Sequence, residues 1–267
     1  MPPRRFHWLA MVALVPVIAG CGGGRHARAG QVTRVESVAP RYHVRDTREV
    51  RQRIEQQEQL GLAVERMRAG DHAAAERLVR DVLKKQPASA DAYTVLASVQ
   101  SLAGNVAAAG ESYRRATELG PGRGDLLNNY GAWLCANGHP AEALVWFDRA
   151  LADRGYATPA AALANAGGCA LQTGQFERAQ RDLRRALELD PGNAYALESM
   201  ARSEFHQRRY FEARAFSQRR LAAASSTPSV LQLAIEVEQR LGDKAAASRY
   251  QEQLRKEFPD AIAASQD

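Results

Sequence analysis

Residues 124–152 read GDLLNNYGAWLCANGHPAEALVWFDRALA, and residues 160–189 read AAALANAGGCALQTGQFERAQRDLRRALEL. Laid one on the other, they share a small residue (Gly131, Gly167), a glycine seven positions later (Gly138, Gly174) and an alanine five positions after that (Ala143, Ala179). The middle glycine suits the left-handed conformation that ends a helix. The small residue before it and the alanine after it let two helix backbones approach closely, where larger side chains would hold them apart. Each stretch therefore reads as a tight helical hairpin.

The same spacing extends in both directions. The turn position is held by Gly70, Gly104, Gly138, Gly174, Arg208 and Gly242, at intervals of 34, 34, 36, 34 and 34 residues. The later alanine recurs as Ala75, Ala109, Ala143, Ala179, Ala213 and Ala247, and the earlier small site as Ala63, Ala97, Gly131, Gly167, Ala201 and Ile235. Pro87, Pro121, Pro191 and Pro259 close four of the units, because proline cannot continue a helix. A period of 34 residues is that of the tetratricopeptide repeat. The predicted fold is all-α: a tetratricopeptide-repeat solenoid of six helical hairpins forming a right-handed superhelix. The repeat domain is placed at 48–264, with units at about 56–89, 90–123, 124–159, 160–193, 194–227 and 228–261. Larger apolar residues, among them Leu96, Tyr113, Leu127, Tyr130, Phe147, Leu163, Leu183, Leu187 and Leu231, are assigned to the core. The third unit carries two extra residues near Tyr156-Ala157-Thr158-Pro159, a longer turn. The outermost units of such arrays depart from the pattern because they cap the stack.

Ahead of the array the sequence changes character. Arg4 and Arg5 precede an apolar stretch from Trp8 to Ala19 that is short of the roughly 20 residues needed to cross a bilayer. It fits a secretory signal over residues 1–20. Ile18-Ala19-Gly20-Cys21 resembles the lipobox of bacterial lipoproteins, which makes Cys21 the expected lipidation site; the alternative is a plain signal with an accidental cysteine. Several acyl chains on that residue would anchor stably where one would not. Gly22 after Cys21, rather than aspartate, resembles lipoproteins sorted to the outer membrane. Residues 21–47 then read as a lipidated cysteine and a flexible, glycine-rich tether. Its arginines at 25, 28, 34, 41 and 45 suit either attraction to anionic head groups, worth about 1 kcal/mol each, or simple solubility.

Composition narrows the function. Hydrophobic residues make up 45% and charged residues 25%, which is ordinary for a folded chain. The net charge of +6 is carried almost entirely by arginines interleaved with acids; lysine occurs only at 84, 85, 244 and 256. A nucleic-acid binder would gather its basic residues on one face with aromatic platforms, so no nucleic-acid partner is expected. The six histidines are isolated, and no nucleophile elbow, phosphate loop or zinc-protease motif is present. No catalytic residue, metal site, cofactor or small-molecule substrate is therefore expected, and the protein reads as a non-enzyme. Gly120-Pro121-Gly122-Arg123-Gly124 lacks the lysine and hydroxyl of a phosphate loop and falls at a unit boundary, where a turn explains it.

Stacked hairpins present a concave wall lined by the first helix of each unit, the usual seat of an extended peptide or partner helix. Counting from each unit's start, the inward candidates are Thr94, Ser98 and Ser101 in the second repeat, and Asn128, Ala132 and Cys135 in the third. The fourth contributes Ala164, Gly168 and Leu171, and the fifth Arg202 and Phe205. The middle of this wall is small and apolar, so a partner with an apolar strand or helix fits it better than an acidic tail.

Cys135 and Cys169 are the only cysteines beyond Cys21. An even pair in an exported domain invites a disulfide; two small core residues would satisfy the sequence equally.

Asn128-Asn129-Tyr130-Gly131-Ala132-Trp133-Leu134-Cys135 is more particular than a generic repeat, as are Asn165-Ala166-Gly167-Gly168-Cys169-Ala170-Leu171 and the Ala186-Leu187-Glu188-Leu189-Asp190-Pro191 that follows. With the lipobox and six repeats, these segments resemble the type IV pilus biogenesis/stability lipoproteins, PilF and PilW. The resemblance implies a pilotin: an outer-membrane lipoprotein on the periplasmic face that helps secretin subunits reach that membrane and assemble. Some members are described as stabilising extended pili instead. The rival reading is a general periplasmic scaffold that recruits cell-wall enzymes or assists outer-membrane protein assembly.

Overall fold

The computed structural model describes residues 47–260. The signal segment, Cys21 and the tether lie outside the described residues. The described chain forms twelve helices: α1 (Arg48–Arg68), α2 (His72–Lys85), α3 (Ala90–Leu102), α4 (Val106–Leu119), α5 (Gly124–Ala136), α6 (Pro140–Ala152), α7 (Pro159–Gln172), α8 (Phe176–Leu189), α9 (Ala194–His206), α10 (Tyr210–Ala223), α11 (Pro228–Leu241) and α12 (Lys244–Glu257). They pair as six antiparallel hairpins. Each even-numbered helix packs on the odd-numbered helix before it and, α12 excepted, on the one after it. The odd-numbered helices also touch one another along the array, α1 to α3 and onward to α11. They therefore form one continuous inner wall.

The hairpin turns follow from a single backbone requirement. Gly70, Gly104, Gly138, Gly174 and Gly242 all have φ between 71° and 87°. At Gly104, the amide of Asn105 reaches back to the carbonyl of Gln100 at 2.8 Å, and the Gly104 amide to that of Ser101 at 3.1 Å. This is the Schellman pattern, which needs a left-handed residue. The fifth hairpin closes identically, Arg209 to Glu204 at 2.9 Å and Arg208 to Phe205 at 3.0 Å, with Arg208 held at φ 60°. A non-glycine residue there costs about 1–2 kcal/mol. Arg208→Gly is therefore expected to stabilise the domain by about 1 kcal/mol, read as a higher urea midpoint; an unchanged or lower midpoint contradicts it.

Proline is used at both ends of helices. Pro140, Pro159 and Pro228 start α6, α7 and α11, where the missing N–H costs nothing. Pro87, Pro121, Pro191 and Pro259 each follow a helix by one residue beyond its cap. Asp71, Ser89, Asn193, Thr227 and Asp243 cap helix starts by accepting from the third residue on.

The small sites pack as their spacing requires. Ala63, Ala75, Ala97, Ala109, Ala143, Ala179, Ala201 and Ala213 are fully buried. In the third and fourth hairpins the approach is close enough to exclude even a methyl group. A Cβ on Gly131 would meet the Phe147 ring at 2.9 Å, and one on Gly167 would meet Leu183 Cγ at 2.5 Å. The longer turn between α6 and α7 has a similar cause. Tyr156 folds over Gly124, whose amide donates to Asp153 at 2.8 Å, and a Cβ there would meet the tyrosine at 2.7 Å. The last hairpin departs from the small-residue pattern. Ile235 fills the small site and is buried, and Glu238, 2% exposed, is neutralised by Arg214 from α10.

Candidate protein-binding groove

The inner wall runs through the odd-numbered helices, and the sequence-derived groove residues other than Asn128 divide into three groups on it. Thr94, Ser98, Ala132 and Arg202 are half-buried and reach its surface, and Ser101 is half-buried beside them. Ser98 Oγ lies 3.0 Å from both the Thr94 carbonyl and Tyr113 Oη, and Arg202 pairs with Glu198 at 2.9 Å. The Ser101 hydroxyl is sealed and unpartnered. Leu171 and Phe205 are half-buried but spend their apolar faces on the core: Leu171 between the third, fourth and fifth hairpins, Phe205 against Leu233 and Val237. Arg240 lies over the outer face of Phe205, 5.7 Å from the ring centroid.

The third group corrects the sequence reading. Ala164 is 1% exposed and packs with Leu183, Ala196 and Met200, and Gly168 is buried beneath Tyr195. A Cβ on Gly168 would meet the Tyr195 ring at 2.8 Å. Neither residue offers a contact surface. Counting positions from each unit's start treats every first helix as exposing the same arc. Here α7 and α9 make the most extensive of the contacts between first helices, so α9 covers the arc of α7 that the count left open. Tyr195, nearly half exposed, takes that place on the wall. Burial pushes its phenol above the usual value.

Asn128 is 8% exposed, and its Oδ1 accepts a 3.0 Å bond from Asn165 Nδ2. Asn165 was not among the groove candidates, although it opens the particular segment Asn165–Leu171. One turn or two further along the same helices, Cys135 and Cys169 are joined by a disulfide with Cα atoms 6.0 Å apart. The two helices α5 and α7 are thus tied at two levels, one polar and one covalent.

A separate apolar set lies at the hairpin turns rather than on the wall. Leu102, Val106, Phe176 and Phe211 are all exposed, Phe211 most of all at 73%. Position counting from the core pattern does not reveal them; their only sequence signal is a large apolar residue beside a turn glycine or its arginine equivalent. Among the described residues, no cluster of three or more His, Cys, Asp or Glu side chains could hold a metal. His72, His139 and His206 sit at three different turns. No described helix is long and apolar enough to cross a membrane.

Six hairpins closed by left-handed residues, paired through small residues and aligned by one wall of first helices, define a tetratricopeptide-repeat protein. Tetratricopeptide-repeat family models match residues 60–124 and 160–193. The crystal structure of PilW, described as a widely conserved type IV pilus biogenesis factor, superposes with a TM-score of 0.69 at 31% identity, covering 77% of this chain and 94% of that one. The chain belongs to the PilF/PilW family of tetratricopeptide-repeat proteins. The type IV pilus assembly protein PilF of Pseudomonas aeruginosa is 26% identical over 204 residues, which are 76% of this chain and 80% of that protein. A Pseudomonas aeruginosa pilF structure shares the fold at a TM-score of 0.67 and 24% identity.

Proposed function

We propose that this protein acts in type IV pilus biogenesis as a pilotin: a non-enzymatic, lipid-anchored protein on the periplasmic face of the outer membrane that binds secretin subunits and promotes their localisation and multimerisation. The observation that carries the reading is the match to PilW at 31% identity across 94% of that chain. The likeness extends along the array rather than resting on one repeat. Tetratricopeptide arrays bind other proteins on extended surfaces, and the wall between α5 and α9 offers such a surface. Ile18-Ala19-Gly20-Cys21 and the following Gly22 supply the anchor and its address in this reading.

Deleting the gene and blotting for heat- and detergent-resistant secretin multimers tests it. Multimers are expected to disappear while secretin monomer persists, and Cys21→Ala is expected to leave the outer-membrane fraction. Normal multimers together with normal pili in the deletion strain would overturn the pilotin reading in favour of a general periplasmic scaffold. Retention of Cys21→Ala in the outer membrane would overturn the anchor.

A further inference from the structure

Of the asparagines in the chain, Asn137 alone is followed by glycine. That pair sits at the turn of the third hairpin, where Asn137 is the C-cap of α5 and Gly138 is the left-handed residue. We propose that Asn137-Gly138 is a spontaneous modification site, closed while the α5–α6 turn is folded and reactive when that turn opens, at which the asparagine is converted irreversibly to aspartate and isoaspartate.

The chemistry needs water and no enzyme. The Gly138 amide nitrogen, having lost its proton to a base, attacks Cγ of Asn137. A C–N bond forms, Nδ2 leaves as ammonia, and a cyclic imide remains. Water then adds to one of the two imide carbonyls and breaks its bond to the ring nitrogen. Cleavage at Cγ gives aspartate. Cleavage at the main-chain carbonyl gives isoaspartate, in which the chain runs on through the former side chain. Glycine permits the attack because it has no Cβ to hinder its nitrogen. The other asparagines precede Val106, Asn129, Tyr130, Ala166 and Ala194, all of which carry one.

The folded turn withholds both reacting groups. Asn137 Nδ2, the leaving group, donates to the Trp133 carbonyl at 2.7 Å. The Gly138 N–H, which must lose its proton, donates to the Cys135 carbonyl at 3.4 Å, and the His139 N–H closes the turn on Leu134 at 2.9 Å. The backbone rotation is also wrong. Ring closure needs Gly138 N beside Asn137 Cβ about the Cα–C bond, whereas a ψ of 24° sets it close to Asn137 N instead. The Gly138 bond is longer than its equivalents at the other turns, which run from 3.0 to 3.2 Å, so this turn holds its nucleophile least tightly. The fifth turn uses the same cap without the hazard. Gln207 donates Nε2 to the Ser203 carbonyl at 3.2 Å, but its longer chain would need a larger ring, and Arg208 follows it in place of glycine. Ala69, Ala103, Thr173 and Leu241 hold this place at the remaining turns.

The products cannot restore the cap. A carboxylate only accepts, so it has no donor for the Trp133 carbonyl, and it stands at the negative end of α5. Isoaspartate also adds a methylene to the main chain inside the ring that the His139 N–H closes. The modified hairpin therefore shuts less tightly than the original.

The test ages the full chain, in detergent micelles with its disulfide intact, at mildly alkaline pH beside a synthetic peptide of residues 131–142. Fragmentation mass spectrometry reads aspartate and isoaspartate at position 137. Conversion is expected to be at least about tenfold slower in the folded chain than in the peptide, since the turn must first open. In urea below the unfolding transition, conversion should rise in step with hydrogen exchange of the Gly138 and His139 amides. Equal rates in chain and peptide overturn the closed turn. Conversion that does not follow exchange, or none where those amides exchange freely, overturns the gate. Asn137→Gln keeps an amide cap on the pattern of Gln207 and removes the reaction. Aged wild type is expected to show a lower urea midpoint than fresh, and aged Asn137→Gln an unchanged one; an equal fall in both overturns the link between the modification and the weakened hairpin.

Discussion

Phe147→Ala is expected to cost about 3–5 kcal/mol, the range for removing a fully buried aromatic ring. Phe147 is completely buried in α6, in a cluster with Tyr130, Leu134, Leu144, Ala166 and Cys169 drawn from three consecutive helices. The ring therefore joins the third hairpin to the fourth as well as closing its own. Its space is not easily refilled. An added Cβ on Gly131 would lie 2.9 Å from the ring, so a glycine is already used to admit it. This gives the prediction a second arm. Gly131→Ala alone is expected to cost about 1–3 kcal/mol by overpacking, yet in the Phe147→Ala background it adds volume where volume is missing. The two losses should then be clearly less than additive. Urea denaturation followed by circular dichroism measures all three variants. A loss under about 1 kcal/mol for Phe147→Ala, or strict additivity, would contradict the packing described.

Replacing both Cys135 and Cys169 by alanine is expected to cost about 2–4 kcal/mol. The bond joins residues 34 apart, and closing a loop of that length in the unfolded chain removes entropy worth about 4 kcal/mol on the chain model. Alanine is the appropriate replacement, because both cysteines are buried among apolar side chains and a serine hydroxyl would add its own penalty. Thiol titration of the oxidised mature lipoprotein, denatured without reductant, should find no free thiol. Reductant should lower the wild-type urea midpoint and leave the double variant unchanged. Two titratable thiols, or a midpoint indifferent to reductant, would remove the covalent tie between α5 and α7. The Asn128–Asn165 bond spans the same two helices.

The inward positions show where reading by position stops working. Thr94, Ser98, Ala132 and Arg202 reach the wall, whereas Ala164 and Gly168 are covered. The difference does not lie in their own helix, since Ala164 and Gly168 occupy the same places in their unit as Thr94 and Ser98 in theirs. It lies in the next hairpin, whose Tyr195 rests on Gly168 and whose Ala196 and Met200 pack with Ala164. Similarly, Asn165 falls outside the inward count, and its pairing with Asn128 is visible only across the two helices.

The number of hairpins, their period and the places of their turns were determined by the sequence itself. Each depends on a relation within one unit: a left-handed backbone at the glycine, a small residue facing an alanine, a proline that ends or begins a helix. Even Arg208 at the fifth turn is legible, because the spacing on either side leaves no other place for it. What only the tertiary structure decided is which inward side chains stay open and which close on a neighbour. That depends on how nearly α7 and α9 approach, and on side chains such as Asn128 and Asn165 that meet across two helices. Such distances are set by the packing of whole hairpins, and no periodicity within a single unit encodes them.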